Sequence, residues 1–144
     1  MPSIKFSSEN IPFRVKNSLE VKEWIKEVLK KEKNQLDSLQ YIFCTDEALL
    51  ERNIYYLKHY TYTDIITFDL SEKEKTIRGE IYISIDRVKE NAQTFKQTLE
   101  EELHRVIIHG VLHLCGHGDK TKADKNHMRH LEDYYLKKRK WIRL

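Results

Sequence analysis

Cysteine is scarce in this chain of 144 residues, which holds only Cys44 and Cys115. Two are too few for a disulfide framework, and the compartment expected for such a chain is a reducing cytosol. Long hydrophobic runs are missing as well. No stretch of about 18 apolar residues exists, so no membrane span is expected. The opening Met1-Pro2-Ser3-Ile4-Lys5-Phe6 lacks the apolar core of a signal peptide, which adds to the expectation of a cytoplasmic protein. Internal repeats, low-complexity tracts and linkers are also absent, and residues 1–144 read as one domain long enough for a proper core.

Charge is present in ordinary amount but unevenly placed. The net charge is only +3. From Lys120 onward, however, nine Lys or Arg stand against three Asp or Glu, while residues 1–119 are slightly acidic. Such an asymmetry favours an anionic partner, with RNA or DNA the obvious class. A solvated helix face followed by a charged tail would give the same pattern.

The most informative stretch is His109-Gly110-Val111-Leu112-His113-Leu114-Cys115-Gly116-His117-Gly118-Asp119. Residues four apart share a helix face, so at about 100° per residue His109 and His113 fall within roughly 40° of each other. Leu99, Leu103, Val106, Ile107, Gly110 and Leu114 form the adjacent stripe, expected to face the core. Gly116 offers a helix stop, and a chain turning back there can bring Asp119 to the two imidazoles. Three protein ligands leave a coordination position open, which is how catalytic zinc sites are built. Cys115 falls on the far side of the helix and is rejected as a ligand. Two histidines in a buried helix without any metal are the plainer alternative.

Alternation and spacing predict the remaining elements. Ser3–Ser7 reads as a strand. Asn17 with Glu20 resembles a capping box opening a helix over Ser18–Glu32. Leu39–Cys44 reads as a second strand, and strand, helix and strand in succession suggest a parallel crossover. Thr45 or Asp46 can cap a short helix through Leu50, with Asn53–Tyr62 a polar-aromatic loop. Thr63–Leu70 and Ile77–Ile85 read as an antiparallel pair, and Asp86 as the cap of a helix through Phe95. Thr98 with Glu101 is a capping box for the helix bearing the histidines. Thr121 with Asp124 opens a last helix, with Met128, Leu131, Tyr134 and Tyr135 inward. The fold class expected is α+β, a small mixed sheet of about four strands packed with helices.

Three blocks resemble the YbeY family of bacterial endoribonucleases, the rRNA maturation factors. His109-Gly110-Val111-Leu112-His113-Leu114-Cys115-Gly116 matches the family's His-Gly-x-Leu-His-Leu-x-Gly. Thr63-Asp64-Ile65-Ile66-Thr67-Phe68 and Gly79-Glu80-Ile81-Tyr82-Ile83-Ser84 resemble its two strand motifs. Most members place a third histidine where this chain has Asp119, a position that keeps the family's register. His117 is the alternative third ligand. Many members also carry Tyr-Arg before the first strand motif, where this chain has Tyr56-Leu57 followed by Lys58 and His59.

The resemblance implies one Zn²⁺ per chain on His109, His113 and Asp119, and single-strand-specific RNA cleavage during ribosome assembly, including maturation of the small-subunit rRNA 3′ end. Partners would be rRNA, the small subunit and ribosome-associated proteins, with no membrane. Lys58, His59, Lys137, Lys138, Arg139 and Lys140 are the candidate RNA contacts, and Tyr55, Tyr56, Tyr60 and Tyr62 could stack on bases or simply pack. No general base stands in the motif: Gly110 occupies the position where His-Glu-x-x-His peptidases carry Glu, and Glu102 lies two turns too early to be named catalytic. Two other readings stay open, an RNA-binding assembly factor with a structural metal and a small metalloendopeptidase. Imidazole ligands also suit nickel or iron.

Overall fold

A computed structural model describes residues 2–57 and 63–142. Its elements run β1 (Ser3–Ser8), α1 (Ser18–Lys31), β2 (Gln35–Cys44), α2 (Asp46–Leu57), β3 (Ile65–Asp69), β4 (Thr76–Ser84), α3 (Ile85–Thr94), α4 (Leu99–Leu114) and α5 (Lys122–Leu136). The sheet order is β1-β2-β4-β3. β1, β2 and β4 are parallel neighbours, and β3 closes the edge antiparallel to β4. The α+β class, the mixed four-stranded sheet and the crossover through α1 are as the sequence pattern implies.

Alternation along the strands divides the core in two. Leu39, Tyr41 and Phe43 of β2 join Ile77, Ile81 and Ile83 of β4 on the larger face, covered by α1 and α4. Ile42, Cys44, Ile66 and Tyr82 point the other way, onto Leu49 of α2. Helix α4 lies close on the sheet because residue 110 has no side chain. A Cβ there would meet the Ile65 and Ile81 Cδ1 atoms at 3.0 Å. The ends of the chain are tied together as well, since Trp24 Nε1 of α1 donates to the Tyr135 carbonyl of α5 at 2.9 Å.

Several local expectations are corrected. Asn17 is left-handed (φ 55°) and its side chain makes no capping bond, so the expected box at α1 does not form. Helix α2 continues through Leu57, where a loop was expected from Asn53, because Leu49 and Asn53 one turn apart are both buried. Tyr55 and Tyr56 are exposed on it, and Tyr60 and Tyr62 lie outside the described residues. Helix α3 starts at Ile85 and is capped by the Ser84 hydroxyl rather than by Asp86, whose carboxylate instead accepts from the Asp46 amide at 2.9 Å. On α5, Tyr134 is exposed under the Lys138 ammonium, and Glu132 takes an inward place.

Candidate active site

Helix α4 begins where the Thr98 hydroxyl accepts from the Glu101 amide at 3.1 Å and ends beside the two histidines. Gly116 takes φ +104° just beyond it. The Gly116 amide donates to His113 O at 3.0 Å and the His117 amide to Leu112 O at 3.1 Å, the paired bonds of a Schellman turn. That reversal brings Asp119 back to the helix, with Oδ2 3.4 Å from His109 Nε2. The rings of His109 and His113 are parallel within 5°, their centroids 6.5 Å apart.

The other nitrogen of His109 is taken. Its Nδ1 lies 2.8 Å from Glu132 Oε2. A carboxylate can only accept, so Nδ1 donates and Nε2 keeps its lone pair for a ligand. Glu132 is buried and is balanced by Arg105, whose guanidinium also holds Asp133 at 2.6 Å. Burial opposes a charged His109, but the bond and charge of Glu132 outweigh it and raise the imidazole's pKa.

His109, Asp119, Arg105 and Glu132 line a cleft of about 470 Å³, and His113 lies outside its lining. Asp64, at the start of the β3 segment, and Glu102, on α4, line it too. Burial raises the Asp64 pKa more than the nearby His109 charge lowers it. Burial also raises that of Glu102, with repulsion from Asp64 adding to it. Neither carboxyl has an ion-pair partner among the described residues.

The donor set suits zinc in kind: imidazole nitrogen and carboxylate oxygen. Two donors each about 2.1 Å from a tetrahedral zinc stand about 3.4 Å apart, the separation seen between His109 and Asp119. A ligating histidine also usually gives its second N–H to a carboxylate, as His109 does to Glu132. His113 is exposed, its ring centroid 6.5 Å from that of His109. Among the described residues no three His, Cys, Asp or Glu side chains are drawn close enough to hold an ion together.

His117 is engaged elsewhere. Its Nε2 lies 2.7 Å from Glu32 Oε1 at the end of α1, and its ring packs 5.4 Å from that of His127. Glu32 also accepts from the Tyr135 hydroxyl. Of the expected RNA contacts, Arg139 is corrected. It is buried and spends its guanidinium on His104 Nδ1, Glu101 and the Leu136 carbonyl. Lys140 pairs with Glu27 at 3.0 Å, and Lys138 lies over the Tyr134 ring. Lys137 is exposed, but twelve residues separate it from Lys125 in the cleft, about 18 Å of helix axis. Lys58 and His59 lie outside the described residues.

The sequence model of the family described as "Endoribonuclease YbeY" matches residues 3–140. The chain belongs to that family. Among curated YbeY endoribonucleases, the Cytophaga hutchinsonii protein is 48% identical over 139 residues, covering 96% of this chain and 97% of its own. The Flavobacterium psychrophilum protein is 48% identical over 134 residues, covering 93% and 94%. A solution structure from Thermotoga maritima superposes with a TM-score of 0.63 at 30% identity, covering 94% and 91%. In this YbeY-family chain the three sequence blocks that carried the resemblance are spatial neighbours: β3 pairs with β4, and α4 packs on both.

Sequence reasoning missed Glu132, Arg105 and Asp64 as site residues. Glu132 left a signal, a charge four residues after buried Met128 on the apolar stripe of α5. Asp64 stood in the Thr63–Phe68 block, but nothing in its spacing pointed to a place in the cleft.

Proposed function

We propose that this chain is a zinc-dependent, single-strand-specific endoribonuclease of the cytoplasm. It acts in rRNA processing, at the 3′ end of small-subunit rRNA, with residues 1–144 working as one unit. The observation that carries the reading is the pair His109 and Asp119 facing one another across 3.4 Å, with Glu132 behind the imidazole.

His109, His113 and Asp119 would hold the metal. Bound zinc supplies a Lewis acid for a phosphoryl oxygen and a water of lowered pKa. Glu132 fixes the His109 tautomer and ring orientation, and Arg105, 2.9 Å from the Glu132 carboxylate, holds that side chain in place. Asp64 and Glu102 are the cleft carboxyls without an ion pair among the described residues, and Asp64, just before β3, is the group we assign to carry a proton at its carboxyl oxygen. Gly110 packs on Ile65 and Ile81, so the peptidase base position is filled by the sheet, which argues against the metallopeptidase reading.

Protein purified without chelator should contain about one zinc per chain and cleave single-stranded RNA but neither duplex RNA nor casein. His113→Ala should abolish cleavage with an unchanged melting temperature. An intact chain that binds RNA without cutting it, or a variant that fails to fold, would favour the assembly factor with a structural metal. Casein cleavage lost with His113 would revive the peptidase.

A further inference from the structure

The cleft around His109 contains three side chains that metal binding leaves unused. Phe95 is the C-cap of α3 and lines the cleft with 54% of its surface exposed. Scattered surface hydrophobics are ordinary, but this ring has no aromatic or cationic partner among the described residues, and the backbone that carries it is hydrogen-bonded on both sides. The Phe95 amide donates to Asn91 O, and the Gln97 amide reaches back to Ala92 O at 2.8 Å. The rest of the inner face of α3, Val88 and Ala92, is buried, so the ring is not borrowed from the core.

On α5, Lys125 and Arg129 are one helical turn apart and line the same cleft. Both are exposed, and neither has an ion-pair partner among the described residues. The remaining cation of the cleft, Arg105, is committed to Glu132 and Asp133. Arg129 feels the Glu102 carboxyl only at a distance. Buried Met128 and the Thr121 cap hold this part of α5 in place. Helix α4 forms the floor, and α3 and α5, both packed on it, bring the ring and the two cations to its edges.

An apolar ring and two unpaired cations around a polar floor match the chemistry of a nucleotide, a flat base joined to an anionic phosphate. We infer that the cleft is a seat for one unpaired nucleotide: Phe95 stacks on its base, and Lys125 and Arg129 hold the phosphate beside it. This rests on the endoribonuclease reading and deepens it. Stacking is tolerant of base identity because every base has a π-face. A base within a duplex has both faces covered by its neighbours, so the seat itself selects single strands. Arg129 offers a planar fork to phosphate oxygens, and Lys125 a point charge. Asn91, one turn before Phe95, also lines the cleft with an amide that can donate and accept.

The test is binding of the intact protein, in chelator, to a short single-stranded RNA carrying 2-aminopurine, whose fluorescence is quenched by stacking. Phe95→Ala should weaken binding about tenfold and relieve the quenching, with the salt slope unchanged, and Phe95→Trp should restore both. Lys125→Ala and Arg129→Ala should each lower the slope of log Kd against log salt by about 0.7 while the quenching of the bound probe persists. Lys26→Ala, on the surface of α1, should match the wild type. In the metal-loaded protein, Phe95→Ala should raise KM for single-stranded RNA. Binding by Phe95→Ala within twofold of wild type, or unchanged slopes in both cation variants, would overturn the seat. A wild-type protein that cleaves normally while those variants bind normally overturns the seat alone. A wild type that neither binds nor cleaves RNA overturns the endoribonuclease reading with it.

Discussion

The carboxylate of Glu132 accepts from His109 Nδ1 at 2.8 Å, so a residue 23 positions further along, on the next helix, decides which imidazole nitrogen faces Asp119. Replacing it by Gln keeps the shape and removes the charge. Glu132→Gln should weaken zinc binding about 10- to 100-fold, the usual cost of losing the partner behind a ligand histidine. Competition with a chelating dye measures this, and an affinity equal to wild type would mean that Glu132 does not support the ligand.

Gly116 has φ +104° and nothing within 4 Å of where a Cβ would sit. Gly116→Ala therefore adds backbone strain without a clash, at a cost of about 1–3 kcal/mol, and displaces the turn that delivers Asp119. A urea titration should show the lost stability, and zinc affinity should fall with it. An alanine variant as stable as wild type would contradict the turn.

His104 gives the acid dependence. Burial, with help from the Arg139 charge, pushes its pKa down to about 4, below the ordinary 6.5 of an unfolded histidine. The unfolded chain then binds the extra proton first. This group's stability contribution is complete above about pH 6.5 and is lost as pH falls toward 4, by about 3 kcal/mol in all. Urea midpoints at pH 7 and 4.5 should converge in His104→Asn relative to wild type. An identical pH slope in the two proteins would rule His104 out as the source.

Arg139 and Lys137, two residues apart in a basic run, should behave oppositely. Arg139→Ala strands His104 Nδ1 and Glu101 and should cost roughly 3 kcal/mol, read as a lower melting temperature. Lys137→Ala should change stability by less than about 0.5 kcal/mol. An Arg139→Ala protein of normal melting temperature and weakened RNA binding would return Arg139 to the RNA surface.

What was legible in the sequence was local. The period-2 run from Ile77 and the capping residues Thr98 and Thr121 each express a short-range rule, and each has its counterpart in the fold, with the strand ending at Ser84 rather than Ile85. What was missed depends on neighbours distant in the chain. Glu132 reads as a surface charge until α5 is laid against α4, and Arg139 reads as part of a basic tail until His104 and Glu101 surround it. Asn17 misled for the opposite reason: the residue type suited a cap, but its left-handed backbone turned the side chain away from the α1 amides.

Trp24 donates to Tyr135 across 111 positions of sequence, so the last helix is fastened to the first. Glu132 belongs to that same helix. A chain cut short before α5 would consequently have no carboxylate behind His109, and Trp24 would have no carbonyl to receive its indole proton.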